Sequence, residues 1–149
     1  MAIICFLGPD CCGKNSLMHE LSKLYDYRYF MMPRSPICNI VYDRLFDRNL
    51  IFEPSHFTTI ETLINSNCYF VLVKVSSTIL SKRAIARNEQ HVTEIQDFKK
   101  HIAMYKNVFN ECKEKFKRYE YRFLEIDNSK DLKKTALKLK SDLKEVFLM

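Results

Sequence analysis

The chain has 149 residues, enough for one domain with a single buried core, and its 47% hydrophobic and 13% aromatic content excludes a disordered chain. A net charge of +6 suits anionic ligands, nucleic acid included, and is equally the mark of a lysine-rich helical surface. No apolar run reaches the length of a membrane span, the start lacks the charged region and cleavage site of a secretory signal, and the 6 cysteines form no C-x-x-C, so a soluble, cytoplasmic protein with free buried thiols is expected.

The first predicted element is a strand at 2–7, the short apolar run "AIICFL". "GPDCCGKNSL" follows it. Gly8, four residues, then Gly13-Lys14 is the spacing of a phosphate-cradling loop, and the chain's 2 glycines both stand at its fixed positions. Leu17, Leu21 and Leu24 recur at helical spacing, with Met18 on the same face, and predict a helix at 14–25. The motif therefore lies between a strand and a helix, as it must. Backbone N–H groups over Gly8, Cys11, Cys12, Gly13, Lys14, Asn15 and Ser16 would converge on nucleotide phosphates, aided by the helix N-terminus. Lys14 would bridge the β- and γ-phosphates of ATP. Asn15 stands where Ser or Thr normally gives a hydroxyl to Mg²⁺, and Ser16 comes one residue late. Either side chain offers an oxygen, or Mg²⁺ is held through water and substrate phosphates. Cys11 takes a position where glycine is common. The Cys11-Cys12 pair has no second ligand pair at metal-site spacing.

A strand at 27–32 comes next, then an irregular stretch through "MPRSPICN" and a short strand or helix start at 39–43. A helix at 55–66, the strand "CYFVLVKV" at 68–75, a helix at 77–88 and a long helix at 93–118 follow. Strand 121–126, "YRFLEI", and a helix at 129–147 close the chain. Strands alternating with helices imply an α/β fold, a mostly parallel sheet covered on both faces. Ligands of such sheets bind at the carboxyl ends of the strands, where residues 8–13, Pro33–Pro36, Asp43-Arg44 and Ser76-Ser77 are expected. The basic stretches "KEKFKR" and "KKTALKLK" read as solvated helix faces. His19, His56, His91 and His101 show no ligand spacing.

Phosphoryl transfer needs positive charge around the moving group and an aligned acceptor, and arginine's planar fork suits phosphate. Three arginine groups qualify. Arg34 in "MPRSP" lies in a proline-stiffened loop and reads equally as a surface arginine. In "YDRLFDR", Asp43 would orient Mg²⁺-bound water or take the acceptor's proton while Arg44 holds the acceptor; Asp47 and Arg48, one turn on, read as a surface ion-pair set. Arg83 and Arg87 in "SKRAIARNEQH" are spaced i, i+4 on one helix face, as a lid over the γ-phosphate or as an exposed basic face.

Taken in order, these segments resemble the thymidylate kinases and related viral deoxynucleotide kinases, whose phosphate loop often reads G-P-D-G-x-G-K. "MPR" is similar to their acceptor-phosphate arginine, "YDR" to their Asp-Arg motif, and "VSSTILSKRAIAR" to their strand, helix and arginine lid. The resemblance implies a three-layer P-loop kinase fold over 1–149, with a phosphate loop at 8–16, an acceptor region at about 31–66 and a lid-like segment at about 82–92. It implies an ATP- and Mg²⁺-dependent kinase of a nucleotide or nucleoside-like acceptor, foremost a deoxynucleoside monophosphate, of viral or phage type and acting in the cytoplasm, the host's if viral. Asp10 would then accept from the acceptor sugar's hydroxyl, Arg34 and Arg44 hold the acceptor, Asp43 the metal's water, and Arg83 or Arg87 the transferring group. On the bland reading Asp10 only caps the following helix. Only 28 residues separate Lys14 from Asp43, fewer than in that family. The acceptor pocket is thus expected to be open, or completed by a second subunit. An open site with a basic surface also admits a hydroxyl on DNA or RNA as acceptor, and Asn15 and Cys11 keep a non-catalytic nucleotide binder in play.

Overall fold

The computed structural model describes residues 1–87 and 95–148, with the backbone alone for 95 and 96. Four parallel strands form one sheet: β1 (Ile3–Leu7), β2 (Phe30–Met32), β3 (Cys68–Lys74) and β4 (Phe123–Asp127), in the order β2-β1-β3-β4. Ile3 pairs with Phe30 on one side and Cys68 on the other, and Phe70 pairs with Phe123. Among the described residues six α-helices flank the sheet: α1 (Lys14–Leu24), α2 (Pro36–Leu45), α3 (Glu53–Asn65), α4 (Ser77–Ala86), α5 (Ile95–Lys115) and α6 (Leu132–Phe147).

The alternation of side chains along each strand divides the core in two. Ile4 and Phe6 of β1 join Leu17 and Leu21 of α1, Leu80 and Ala84 of α4, and Leu139 and Leu143 of α6. Cys5 and Leu7 face the other way, onto Ile37 and Val41 of α2, Phe57 and Ile60 of α3, and Val108 and Phe109 of α5. Three layers result, with helices on both faces of a sheet whose central strands are apolar on both sides. Burying each such Leu, Ile or Phe stabilises the fold by about 1.5–3 kcal/mol. All 6 cysteines are buried thiols outside any disulfide, and those of Cys5 and Cys68 lie 3.4 Å apart on neighbouring strands.

The elements differ from expectation where a turn or cap outweighs the apolar pattern. β2 begins at Phe30, not at 27, because Asp26 and Tyr27 take left-handed backbone (φ 51 and 58), closing the end of α1 through Tyr27 N–H to Ser22 C=O. The "irregular" stretch is the start of a full helix. Ser35 caps α2 by accepting from Ile37 N–H, and Pro36 takes the first turn, where a missing N–H costs nothing. α5 stops at Lys115, a 3₁₀ turn takes up 117–122, and β4 starts two residues later than predicted. α6 starts at Leu132, capped by Asp131.

Candidate active site

The loop between β1 and α1 is shaped by its two glycines. A side chain at Gly8 (φ +152) would stand 2.8 Å from both Cys12 Sγ and the Val73 carbonyl, and one at Gly13 (φ +86) would stand 2.5 Å from Asn128 Nδ2. Cys11 holds the glycine-like position itself, at φ +66, a strain of about 1–2 kcal/mol for a residue with a Cβ. Burial of its side chain in the core offsets that strain. Burial also pushes the Cys12 thiol up to about 11, against the pull of the Lys14 charge. α1 starts at Lys14, so its unpaired N–H groups and positive dipole end face the loop. The Lys14 ammonium donates to the Gly8 carbonyl at 2.6 Å. A cavity of about 440 Å³ is lined by residues 9–16 with Pro33, Arg34 and Arg87. Its glycine, backbone donors and lysine fit a nucleotide's phosphates. Asn15 and Ser16, exposed in the first turn of α1, have side-chain oxygens to offer Mg²⁺.

A small recess opens off this cavity, about 10 Å³, walled by Asp10, Lys14, Arg34, Cys38, Tyr42 and Tyr105. Burial holds the Tyr42 phenol above its ordinary pKa, the Asp10 carboxylate adds to the effect, and Arg34 opposes it. Tyr105 is 1% exposed, its hydroxyl meets no partner in hydrogen-bond geometry, and its pKa is driven up chiefly by burial. Cys38 and Tyr42 sit i, i+4 on α2, and Phe46 continues the row. Its exposed ring lies parallel to that of Tyr42 with centroids 6.1 Å apart, and the Arg48 guanidinium lies 5.4 Å above it.

The structure does not bring Asp43 and Arg44 to this site. They lie in the last turn of α2, not at a strand's carboxyl end, and line neither cavity. Arg44 is engaged by two carboxylates: Nε donates to Glu53 at 2.6 Å, and the two terminal nitrogens donate to Glu111 at 2.8 and 3.2 Å. Asp43 is buried, 3.6 Å from both Arg48 Nε and His56 Nε2. The pair ties α2 to α3 and α5. "YDR" has the right letters, but with the chain between β2 and β3 this short they fall within a packed helix rather than at the sheet's end. Among the described residues no three His, Cys, Asp or Glu side chains gather as a metal site. Of the histidines, His101 is buried against the rings of Tyr42 and Phe46, and His91 lies outside the described residues.

On the far side of the loop, Arg83 of α4 donates to the Cys11 carbonyl (3.3 Å) and to the Asn128 carbonyl (3.0 Å). Asn128, 3% exposed, donates through its side chain to the Cys12 carbonyl (2.9 Å) and through its backbone to the Lys74 carbonyl (2.8 Å). Arg83 is thus a strap on the loop, whereas Arg87 lines the phosphate cavity and also a groove of about 190 Å³ beside Gly13, Ser16 and Lys130. Residues 88–92 of the expected lid lie outside the described residues. Asn128 is the loop-holding residue that the sequence reading missed. It stands at the carboxyl end of β4, so the strand-end rule applied to "EIDNS" would have found it.

With this geometry in view, the chain was compared with known proteins. No family model matches it, and no curated protein matches it significantly in sequence. Solved structures do match along nearly the whole length. The fold is that of the P-loop kinases. The YorR protein of Bacillus subtilis, solved with phosphorylated GDP, matches with a TM-score of 0.74 at 19% identity, over 97% of this chain and 96% of that one. A deoxyadenosine kinase from M. mycoides with bound dATP matches at 0.59 and 13% identity, over 95% and 99% of the two chains. A gluconokinase from Sinorhizobium meliloti matches at 0.58 and 12% identity, over 97% and 93%. No helix among the described residues is long and apolar enough to cross a membrane.

Proposed function

We propose that the protein is an ATP-dependent kinase of a nucleotide or nucleoside-like acceptor, foremost a deoxynucleoside monophosphate. The observation that carries this reading is the meeting of Lys14, Asp10 and Arg34 at one cavity: a phosphate-holding loop on one side, a carboxylate and an arginine fork on the other. YorR with phosphorylated GDP and the deoxyadenosine kinase with dATP support a nucleotide as ligand.

In this reading the loop N–H groups and Lys14 hold the donor's β- and γ-phosphates, and the ammonium leaves the Gly8 carbonyl to do so. Positive charge fixed there stabilises the charge that spreads over the transferring oxygens. Arg34 grips the acceptor's phosphate bidentately and turns its oxygen toward the donor. Asp10 accepts a hydrogen bond from an acceptor hydroxyl. Arg87 serves the donor from α4, and Arg83 keeps the loop in shape. Mg²⁺, when bound, neutralises the phosphates; Asn15 and Ser16 are its protein ligands, directly or through water.

One observation favours a second reading, a hydroxyl of DNA or RNA as acceptor. The recess behind Asp10 is far too small for a base, so the base lies outside it, along the Tyr42–Phe46 row with Arg48. Aromatic rings next to a cation are what a strand end stacks on. Labelled ATP offered with nucleosides, nucleoside monophosphates, and single- and double-stranded oligonucleotides decides. Transfer to a monophosphate upholds the first reading, and transfer only to oligonucleotides upholds the second. ATP binding with no transfer to any of them leaves a nucleotide-binding protein and overturns both.

A further inference from the structure

The phosphate loop's two central carbonyls, those of Cys11 and Cys12, do not face solvent or the cradle. Each is held from outside the loop, by Arg83 and by Asn128. In a trans peptide the C=O and the next residue's N–H point in opposite directions, and no peptide bond here is cis. Holding the Cys12 carbonyl on the Asn128 side therefore aims the Gly13 N–H the other way, into the cavity lined by residues 9–16. The same logic sends the Cys12 N–H inward, where it closes the loop's turn onto the Pro9 carbonyl at 3.3 Å.

We propose that Asn128 is a positioning residue for phosphoryl transfer: its side-chain amide fixes the Cys12–Gly13 peptide so that the Gly13 N–H meets the donor's phosphate. This rests on the kinase reading above. The amide is built for the task. Its backbone is locked to β3 through Lys74, its own carbonyl is held by Arg83, and it is shielded from water, so the bond to Cys12 competes with no solvent. Gly13 is the counterpart, because any side chain there would displace the amide. A donor aimed before the substrate arrives costs no reorganisation during reaction, and its effect grows as charge develops on the phosphate.

The chain's two glycines make a direct test available. Protein labelled with ¹⁵N-glycine gives two backbone amide signals, from Gly8 and Gly13. Adding a non-hydrolysable imido analogue of ATP with Mg²⁺ should move the Gly13 signal downfield in the wild type. In Asn128→Ala that movement should shrink to less than half. The turnover number of the variant should fall about 10- to 100-fold, the range that small misplacement of a reacting group causes, while its affinity for the analogue changes less than five-fold. Asn128→Asp keeps the shape and removes the donor, so it should fail in the same way even if the alanine variant folds poorly. An analogue-induced Gly13 shift of wild-type size in either folded variant, with turnover within three-fold of wild type, overturns the inference. Failure of the kinase reading is distinguishable, because then the wild type itself transfers no phosphoryl group, whether or not its Gly13 signal responds to the analogue, and the inference falls with it.

Discussion

On its donor side the phosphate loop is gripped from several elements at once. Asn128 reaches it from the end of β4, Arg83 from α4, and the Val73 carbonyl of β3 packs against Gly8. On the acceptor side the corresponding groups hang from less. Arg34 follows a three-residue edge strand, and Tyr42 and Phe46 stand on one helix whose outer end leaves Phe46, Leu50, Ile51 and Phe52 exposed. A pre-set cradle suits a ligand part that never varies, the phosphates. A sparsely walled side, if it takes the acceptor as proposed, would set identity by a few contacts, and those are what substitution can change.

Removing Lys14 should break the donor side outright. Lys14→Ala should lower phosphoryl transfer by about 10²-fold or more, with the melting temperature nearly kept, since the side chain bonds to the loop's own Gly8. Rate and melting curve measured together check this, and near-normal turnover would refute the assignment. The acceptor side should respond differently to its two arginines. Arg34→Ala should weaken acceptor use by about 1.5–3 kcal/mol, the range for hydrogen bonds to charged groups, and leave ATP affinity unchanged. Separate titrations of ATP and acceptor test it; a loss confined to ATP would move Arg34 to the donor. Arg44→Ala should leave both titrations alone and lower stability instead, by about 1 kcal/mol for half-exposed pairs with Glu53 and Glu111. Urea unfolding reads that difference.

The same pairs predict a smaller effect of pH. The Arg44 hydrogen bond holds Glu53 below the usual glutamate pKa. Its stabilisation is therefore complete above the unfolded value of about 4.3 and fades as pH falls through and below that range. Glu53→Gln should destabilise more at pH 7 than at pH 3, which unfolding at the two pH values would reveal. The smallest effect concerns the metal. Asn15→Thr should keep the saturated rate and raise it a few-fold at limiting Mg²⁺, by restoring the hydroxyl usual at that position. A loss that persists at saturating Mg²⁺ would assign Asn15 to the substrate instead.

The donor side was the more legible half of the sequence for the same reason that it is the more rigid. Gly8 and Gly13 shape the loop's backbone and Lys14 sets an ammonium beside it, which together demand fixed residue types at fixed spacing. The central strands were equally plain, because apolar runs such as "CYFVLVKV" have few other uses. Arg34 and Asp10 stand in short motifs, "MPR" and "GPD", and both line the cavity. The fate of Arg44 was not readable, since Glu111 lies 67 residues away and only packing of α5 on α2 brings it near. Asn128 lay open to the strand-end rule, but its bond did not: the partner is a carbonyl 116 residues earlier, and a backbone group leaves no signature in a sequence. Ser35-Pro36 did carry a signal, a cap followed by a first-turn proline, obscured by the loop-like composition around it.

The buried cysteines have a practical consequence. A thiol reagent can reach none of the 6 without some opening of the structure, so the protein carries its own clock for such events. Cys11 and Cys12 time the loosening of one loop, whereas Cys5 and Cys68, side by side between the middle strands, time the parting of the sheet itself. Modification followed peptide by peptide would separate the two rates, and a bound nucleotide should slow the first far more than the second.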